Sequence, residues 1–274
     1  MSTTPDKVFA VAEHIAERYA AIGLVEAVAL GGSWTTPYAD GQSDIDLYVY
    51  SRSALPVGLR SVIAATQSTR SELNNHLWEP GDQWIDAPSR LHIDAMFRTQ
   101  RWIEDELVRI LDRHEASLGY STCLWQNVLS SRPLFDRSGW FANLQRKARQ
   151  PYPWQLKGAI ISKNYPVLRE SLSSYRHQLE QAIRHCDDMS IHHRVAACTS
   201  SIVDILFAVN ELPHPGEKHL LKRLEAQCAK LPDRFHEDLK AFYRAASVNH
   251  LSLLAIFDHM VDRLESLLRR EGLL

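Results

Sequence analysis

The hydrophobic pattern changes once along this chain, and that change constrains the fold more than any single residue does. Short apolar runs typical of strands occur in the first half, whereas nearly everything after Gln150-Pro151-Tyr152-Pro153 has the 3.6-residue period of helices. Such a change at a proline-rich segment marks a domain boundary. The sequence therefore predicts an α+β domain over 1–150, with a small mixed sheet and helices on one side of it, followed by an all-α helical bundle over 151–274.

The individual elements follow from apolar alternation and from helical spacing. In the first half we expect helices over 5–21, 59–77, 101–112 and 139–149, and strands over 25–30, 44–50, 84–86, 91–97 and 130–137. In the second half we expect helices over 165–184, 192–211, 217–229, 235–246 and 251–270.

Composition narrows the class of protein. The 274 residues carry a formal net charge of -2, without the basic excess with which proteins hold long nucleic acid, so a long polynucleotide partner is not expected. The four cysteines form no Cys-x-x-Cys pair and are expected as reduced thiols. Neither a signal peptide nor an apolar run of ~18–20 residues is recognisable. These features predict a cytoplasmic protein without a membrane-spanning helix.

The strongest sign of chemistry is Gly31-Gly32-Ser33, then ten residues, then Asp44-Ile45-Asp46. Two adjacent glycines let the backbone turn tightly and approach a ligand, and backbone N–H groups with a serine hydroxyl can hold a phosphate. Aspartates at i and i+2 of one strand point to the same side. Their oxygens suit Mg²⁺, which takes waters and substrate phosphates as its other ligands. The alternative is an ordinary turn followed by a solvated strand end.

A third carboxylate on a neighbouring strand would complete a two-metal site. Asp94 is the first candidate, because it lies in the apolar run 92–97, where a lone charge is costly unless it is paired or bound to metal. A structural ion pair with Arg98 or Arg101 is the alternative for Asp94. Asp86, on a shorter expected strand, is the rival candidate for the third carboxylate.

With its glycine–serine turn, its Asp-x-Asp pair and its later acid, the chain resembles the nucleotidyltransferase superfamily that includes DNA polymerase beta. The motif part of this resemblance covers about residues 25–97. The order of a mixed half and a helical half is also similar to the aminoglycoside- and lincosamide-modifying nucleotidyltransferases and their uncharacterised relatives. The resemblance implies the fold of that superfamily and a nucleotidyl-transfer reaction.

The same resemblance implies roles for the motif residues. Gly31, Gly32 and Ser33 would bind the phosphates of ATP or another nucleoside triphosphate. Asp44 and Asp46 would bind Mg²⁺ or Mn²⁺, and Asp94 would bind a second metal ion or act as general base on an acceptor hydroxyl. The hydroxyl would attack the α-phosphorus in line, with pyrophosphate as leaving group.

The acceptor is left open by the sequence. The first hypothesis is transfer of AMP onto a hydroxyl of a small molecule, of which an aminoglycoside-like antibiotic is one class. A cationic acceptor of that class needs acidic residues in the helical half, where the candidates are Glu170, Glu180, Asp187, Asp188 and Asp204. The alternatives are nucleotidylation of a protein and a nucleotide-binding regulatory module of the toxin–antitoxin type.

Weaker signals lie in the helical half, and the active site is expected in the cleft between the two halves. Lys218 follows the turn at 213–216 and begins a predicted helix, where the helix dipole disfavours a cation. We therefore assign Lys218 to the nucleoside triphosphate, with a solvated lysine as the alternative.

Several further residues have two interpretations each. Trp34 could stack on a base or pack under its own loop. Arg244 and His250 are spaced like the Arg…His pair of ribonuclease-like helical domains, although chance produces such pairs in many helical chains. Three residues just past the boundary are candidates for lining the cleft, with a solvated face as the alternative: Lys157, Lys163 and Tyr165.

Overall fold

A computed structural model describes residues 4–41, 43–66, 68–76, 79–248 and 250–274. The chain divides into two compact units. The first comprises Met1–Val108 and Leu124–Gln150, and the second comprises Arg109–Cys123 and Pro151–Leu274. The assignment of a catalytic domain to 1–150 and of a helical domain to 151–274 stays a prediction.

The first part of the chain mixes helices and strands. The helices are α1 (Pro5–Ala20), α2 (Val57–Ala65), α3 (Gln100–Leu111), α4 (Cys123–Ser130) and α5 (Trp140–Ala148). The strands are β1 (Val25–Leu30), β2 (Ile45–Ser51), β3 (Ser68–Asn75), β4 (Gly81–Asp86), β5 (His92–Thr99) and β6 (Arg132–Asp136). Within the described residues the strands form one sheet in the order β3-β4-β5-β2-β1-β6.

The sheet is mixed, because one pair of strands differs from all the others. β2 and β5 are parallel, whereas the other neighbouring strands are antiparallel. The parallel pair is joined through α2 and the β3–β4 hairpin, since parallel strands need a long crossover connection. The predicted α+β class, with a small mixed sheet and helices, is confirmed.

One face of the sheet is covered by α1 and α2. Leu47 and Val49 of β2 pack in one core cluster with Val8 and Ile15 of α1 and Ile63 of α2, and all five are buried. Alternation along β2 sends these apolar residues to one side, which the helical stripes of α1 and α2 cover. This cluster is the core of the first unit.

The opposite face is covered as well. Tyr48 and Tyr50 alternate with the apolar residues of β2 and point to the other side. The Nδ2 atom of Asn127 in α4 donates a hydrogen bond to the Tyr48 hydroxyl at 2.7 Å, and the ring of Phe141 in α5 stacks on Tyr50 with centroids 5.1 Å apart. The expectation of helices on one side is therefore wrong, because two buried tyrosines on this face require helices that cover them.

The helix predicted over 59–77 is also wrong in its second half. α2 ends at Ala65, and β3 pairs with β4 from Ser68 onward. β3 is an edge strand with mostly exposed residues, so it lacks the apolar alternation that marks a strand in sequence. The predicted end of that helix, Leu77, lies outside the described residues.

The second unit is built from helices around one large core cluster. They are α6 (Trp154–Asn164), α7 (Pro166–Arg169), α8 (Tyr175–Arg184), α9 (Asp188–Val209), α10 (Leu220–Gln227), α11 (Phe235–Val248) and α12 (His250–Arg270). The predicted helix 165–184 is interrupted, because Ser174 begins a new helix by accepting a hydrogen bond from the His177 N–H. In the part of the chain that the structure describes, no helix has the length and apolarity to cross a membrane.

A buried hydrogen-bond network fastens the segment 117–123 to the helices of the second unit. Asp204 of α9 is 1% exposed, and its carboxylate accepts hydrogen bonds from the Ser121 N–H at 3.0 Å and the Ser121 hydroxyl at 2.6 Å. Asn164 of α6 accepts from the Gly119 N–H at 2.9 Å. Burial, which outweighs these hydrogen bonds, raises the pKa of Asp204 to about 6.

His214 lies in the same unit and is fully buried. Its ring lies between the rings of Tyr120 and Phe207, with centroid distances of 4.9 and 5.1 Å. Its Nδ1 atom accepts a hydrogen bond from the Gly216 N–H at 3.1 Å, whereas its Nε2 atom has no hydrogen-bond partner among the described residues. Burial lowers the pKa of His214 from 6.5 to about 4, because no group offsets the cost of a buried imidazolium.

These two groups have opposite effects on stability between pH 4 and 6. The neutral imidazole of His214 stabilises the fold above pH 6.5, and this stability is lost as the pH falls toward 4. The raised pKa of Asp204 has the opposite effect: it stabilises the fold increasingly as the pH falls from about 6 toward 3.8. The reason is that the folded state binds a proton in this range, whereas the unfolded state binds it only near pH 3.8. Each contribution is on the order of 3 kcal/mol, so the two nearly cancel in that range.

We predict that Asp204→Asn removes this compensation while keeping the acceptor for the Ser121 N–H. Urea unfolding between pH 4.5 and 7 should show the free energy of unfolding falling more steeply with acid in the variant than in the unmodified protein. Asp233→Asn, which removes an exposed carboxylate from the same unit, serves as control. Parallel pH profiles for Asp204→Asn and the unmodified protein would contradict the buried ionisation of Asp204.

Candidate active site

The turn after β1 brings the glycine–serine motif to the start of β2. Gly31 donates its backbone N–H to the Asp46 carbonyl oxygen at 2.8 Å. Gly32 has a φ of 62°, in the left-handed region that favours glycine, and a short 3-10 helix runs over Gly32–Thr35. The chain therefore reverses direction directly beside the first residues of β2.

Both glycines are required by a close approach of side chains from β2. A Cβ atom at Gly32 would lie 1.7 Å from Asp46 Oδ2, and one at Gly31 would lie 2.1 Å from Tyr48 Cε2. Any larger residue would displace the Asp46 carboxylate or the Tyr48 ring. The two glycines thus leave the Asp46 carboxylate directly against the backbone of the turn.

The parallel pairing of β2 with β5 aligns two of the predicted acids. Asp46 and Asp94 are direct register partners, and parallel neighbours are about 4.8 Å apart in a sheet. Both side chains are half-buried. Asp44 is exposed and lies one residue before β2, on the same side as Asp46 by alternation. The structure therefore brings Asp44, Asp46 and Asp94 to the same end of the β2–β5 pair.

Two further side chains, which the sequence did not single out, contact these acids. Gln83 of β4 is the register partner of Asp94 and donates its Nε2 to Asp94 Oδ2 at 3.2 Å. His92 Nδ1 lies 3.4 Å from Asp44 Oδ1. His92 is two residues before Asp94 on one strand, which alternation could have indicated, whereas Gln83 is found only once β4 is paired with β5.

The pKa of Asp94 is raised. Burial is the largest cause, and the nearby charges of Asp44 and Glu79 add to it, while the hydrogen bond from Gln83 and the charge of His92 act in the opposite direction. Arg98 and Arg101 are engaged elsewhere, with Glu79 at 2.7 Å and with Asp105 at 3.5 Å. Asp94 therefore has an amide donor as partner, not the arginine ion pair that was its alternative interpretation.

Asp86, the rival third acid, has a structural role in a turn. It is 4% exposed and accepts hydrogen bonds from the Ser89 N–H at 3.0 Å and the Ser89 hydroxyl at 2.5 Å. Its register partner is Ser68 of β3, away from β2. Asp86 is thus occupied in closing the β4–β5 connection.

The donor set of the site suits Mg²⁺ or Mn²⁺ only if substrate supplies further oxygens. Among the described residues, no group of three or more His, Cys, Asp or Glu side chains is arranged to hold a metal ion. Mg²⁺ is usually bound by one or two carboxylates together with waters and substrate phosphates. Asp46, Asp94 and the exposed Asp44 offer carboxylate oxygens of that kind, and the three-carboxylate metal site stays a prediction.

The residues after the glycines stabilise the loop. The carbonyl oxygen of Ser33 accepts hydrogen bonds from the N–H and the hydroxyl of Thr36, at 2.9 and 2.8 Å. Trp34 is 9% exposed, belongs to the core cluster of the first unit, and donates its indole N–H to the Ser43 carbonyl at 3.1 Å. Trp34 therefore packs under its own loop, which was the alternative to stacking on a base.

A small cavity of about 260 Å³ lies on the acid-bearing side of the sheet. Gln83 and His92, the two contacts of the acids, are part of its wall. The remaining lining comes from β3 and β4: Arg70, Ser71, Glu72, Trp84 and Ile85. A group bound there would lie next to Asp94 and Asp44.

The candidates of the second unit lie in different surroundings. Lys218 is exposed in the turn before α10, which begins at Leu220 and not at the predicted 217. Lys157 Nζ lies 2.5 Å from Glu211 Oε1, and the Tyr165 hydroxyl donates to Glu265 at 3.0 Å. Lys163 is exposed. The roles predicted for Lys218 and for the three residues past the boundary stay predictions.

Arg244 and His250 do not share a helix. Arg244 lies in α11, whereas His250 begins α12 and donates its Nε2–H to the Ala246 carbonyl oxygen at 2.8 Å. The Nδ1 atom of His250 lies 3.8 Å from Asp188 Oδ1. Most of the acids proposed for a cationic acceptor also have structural partners. Asp187 caps α9, Glu180 pairs with Arg184, and Asp204 is buried.

Comparisons with known proteins find likeness among solved structures. No protein-family model matches the chain, and no curated protein does either. A solved structure of a nucleotidyltransferase-like protein from Exiguobacterium sibiricum 255-15 is similar over 96% of this chain and 75% of its own, with a TM-score of 0.44 and 11% sequence identity.

We predict that Gly32→Ala destabilises the first unit by about 2 kcal/mol or more, because the new Cβ atom meets the Asp46 carboxylate at a positive φ. The matched control is Gly58→Ala in α2, where nothing lies within 4 Å of the new Cβ. That control should leave the free energy of unfolding unchanged or raise it by up to about 1 kcal/mol. Urea unfolding of both variants makes the comparison, and equal effects would argue against the close approach.

Proposed function

We propose that this protein is a metal-dependent nucleotidyltransferase that moves a nucleoside monophosphate, AMP from ATP, onto a hydroxyl of a small-molecule acceptor. One observation carries the proposal: the register pairing of Asp46 with Asp94 on parallel strands, with the Gly31-Gly32 backbone packed against the Asp46 carboxylate. Such a transfer needs two acids next to a turn whose backbone can hold phosphates, and both occur at this strand end.

The glycine turn is the proposed phosphate site. The space that side chains at Gly31 and Gly32 would fill is taken by the Tyr48 ring and the Asp46 carboxylate, so the turn would hold phosphate oxygens through its backbone N–H groups. Ser33, half-buried at the next position, supplies a hydroxyl on the same turn.

Asp44 and Asp46 are the proposed metal ligands, with Asp94 as a third ligand or as the base. A bound Mg²⁺ or Mn²⁺ ion supplies neutralisation of charge on the phosphates and on the leaving pyrophosphate. The carboxylates of Asp44 and Asp46 would hold such an ion, and the residues of the glycine turn would orient the triphosphate for attack.

Asp94 is the proposed general base. Its pKa is raised by burial, so its carboxylate is a better proton acceptor than an exposed aspartate. The acceptor hydroxyl gives its proton to Asp94 as its oxygen forms the new bond to the α-phosphorus. The bond from the α-phosphorus to the bridging oxygen breaks, and that oxygen leaves with pyrophosphate.

The small cavity beside Gln83 and His92 favours a small acceptor over a macromolecular one. Its volume of about 260 Å³ accommodates one ring or a short chain of a larger small molecule. An aminoglycoside-like antibiotic has hydroxyl-bearing rings of that size. That acceptor class is therefore the first to screen.

The metal-dependent nucleotide site is tested by calorimetric titration of a non-hydrolysable ATP analogue with Mg²⁺. We predict that Asp44→Ala/Asp46→Ala abolishes measurable binding, whereas Asp86→Asn, which changes an acid committed to a turn, leaves it within about threefold. Removal of the divalent ion with a chelator should have the same effect as the double substitution. A folded, unmodified protein that binds no triphosphate with either metal would overturn the proposal.

The base is tested separately from binding. Asp94→Asn should keep affinity for the analogue within about tenfold and lower pyrophosphate release by about 100-fold or more, since general-base catalysis contributes that much. Pyrophosphate is measured from ATP with a panel of aminoglycosides and simple polyols as acceptors. Retention of full turnover in Asp94→Asn would remove Asp94 from the reaction and leave the nucleotide site standing.

A further inference from the structure

The second unit contains a cavity that the proposed reaction does not use. Its volume is about 580 Å³, within the range of about 300–1,000 Å³ typical of small-molecule sites. Residues from α9, α10, α11 and the segment 117–123 line it, and all of them belong to the same compact unit. No residue of the nucleotide site is among them.

The floor of this cavity is apolar. It is formed by side chains from three helices, which are largely withdrawn from solvent: Val203, Leu220, Leu221, Leu224 and Leu239. An apolar floor of this size favours a ligand with a hydrocarbon or aromatic body, because burial of that body is worth about 25 cal/mol per Å².

Two aromatic rings stand at the mouth. Tyr120 is 40% exposed and Tyr243 is 46% exposed, and both line the cavity. Exposed tyrosines next to an apolar floor offer flat faces for a ring and hydroxyls for hydrogen bonds. The Tyr120 hydroxyl is held near Ser200, whose Oγ atom lies 3.4 Å from it.

Two cations border the same mouth. Lys240 and Arg244 are four residues apart on α11, so their side chains share one face of the helix. Both are exposed, and neither forms an ion pair with a described residue. Glu217 is the one acid among the lining residues, so the positive charges exceed the negative by one.

We propose that this cavity binds a small amphipathic anion, namely an aromatic or branched aliphatic body that carries a carboxylate, sulfonate or phosphate group. The body packs on the leucines between Tyr120 and Tyr243, and the anionic group pairs with Lys240 and Arg244. A protein or peptide partner is less suited, because the cavity is a compact recess of ligand size. The proposal is independent of the nucleotide site.

The experiment uses a fluorescent probe of this chemistry, 8-anilinonaphthalene-1-sulfonate, and its uncharged relative N-phenyl-1-naphthylamine. Binding of both is measured by fluorescence titration on the folded, full-length protein. Lys240→Gln/Arg244→Gln should lower affinity for the sulfonate by about tenfold or more and leave affinity for the uncharged relative within about twofold, because a charged hydrogen-bonded contact is lost. All substituted positions are exposed, so the fold is retained.

A charge placed at the mouth gives an independent test. Ala196→Glu adds an acid to an exposed lining position of α9, and His192→Glu adds the same charge one turn earlier, outside the lining. The first should weaken sulfonate binding by about tenfold, and the second should leave it within about twofold. Equal sulfonate affinity in all variants, or no sulfonate binding by the unmodified protein, would overturn the proposed site.

Discussion

β2 and β5 run side by side in the same direction, and the arrangement of the candidate active site depends on this pairing. An antiparallel neighbour would place the two acids of these strands at opposite ends, whereas the parallel register makes Asp46 and Asp94 direct partners. The crossover that allows it contains α2 and the β3–β4 hairpin. The hairpin then adds β4 beside β5 and brings Gln83 to Asp94. The topology of the sheet therefore brings together both acids, Asp46 and Asp94, and the neighbouring Gln83.

Much of the secondary structure of the first unit could be predicted from the sequence, because its buried strands contain clear runs of apolar residues. The strand 25–30 was predicted at its observed bounds, and β2 and β5 were shifted by only one or two residues. The edge strand β3 was missed, since its exposed residues carry no alternation. The covering of both faces was also missed, because the role of Tyr48 and Tyr50 is visible only once α4 and α5 are in place.

The residues of the candidate site could also be predicted in part from the sequence. Local motifs depend on neighbouring residues, so the glycine turn and the Asp-x-Asp pair could be recognised from spacing alone. Contacts that depend on strand register, such as Gln83 with Asp94, could not. Trp34 had two interpretations of equal standing, and only the hydrogen bond of its indole to Ser43 distinguishes them. Features within one strand are therefore predictable from sequence, whereas contacts between paired strands are not.

The three acids differ in how firmly the fold fixes them. Asp46 is confined between the glycine turn and β5, because even one methyl group at Gly32 would overlap its carboxylate. Asp94 is held by an amide donor in a half-buried position, which raises its pKa through loss of solvation. Asp44 is exposed before the start of β2, beside a histidine ring that solvent also reaches. In the proposed reaction Asp46 would therefore be a fixed ligand of the metal ion, whereas the exposed Asp44 has the freedom to adjust to it.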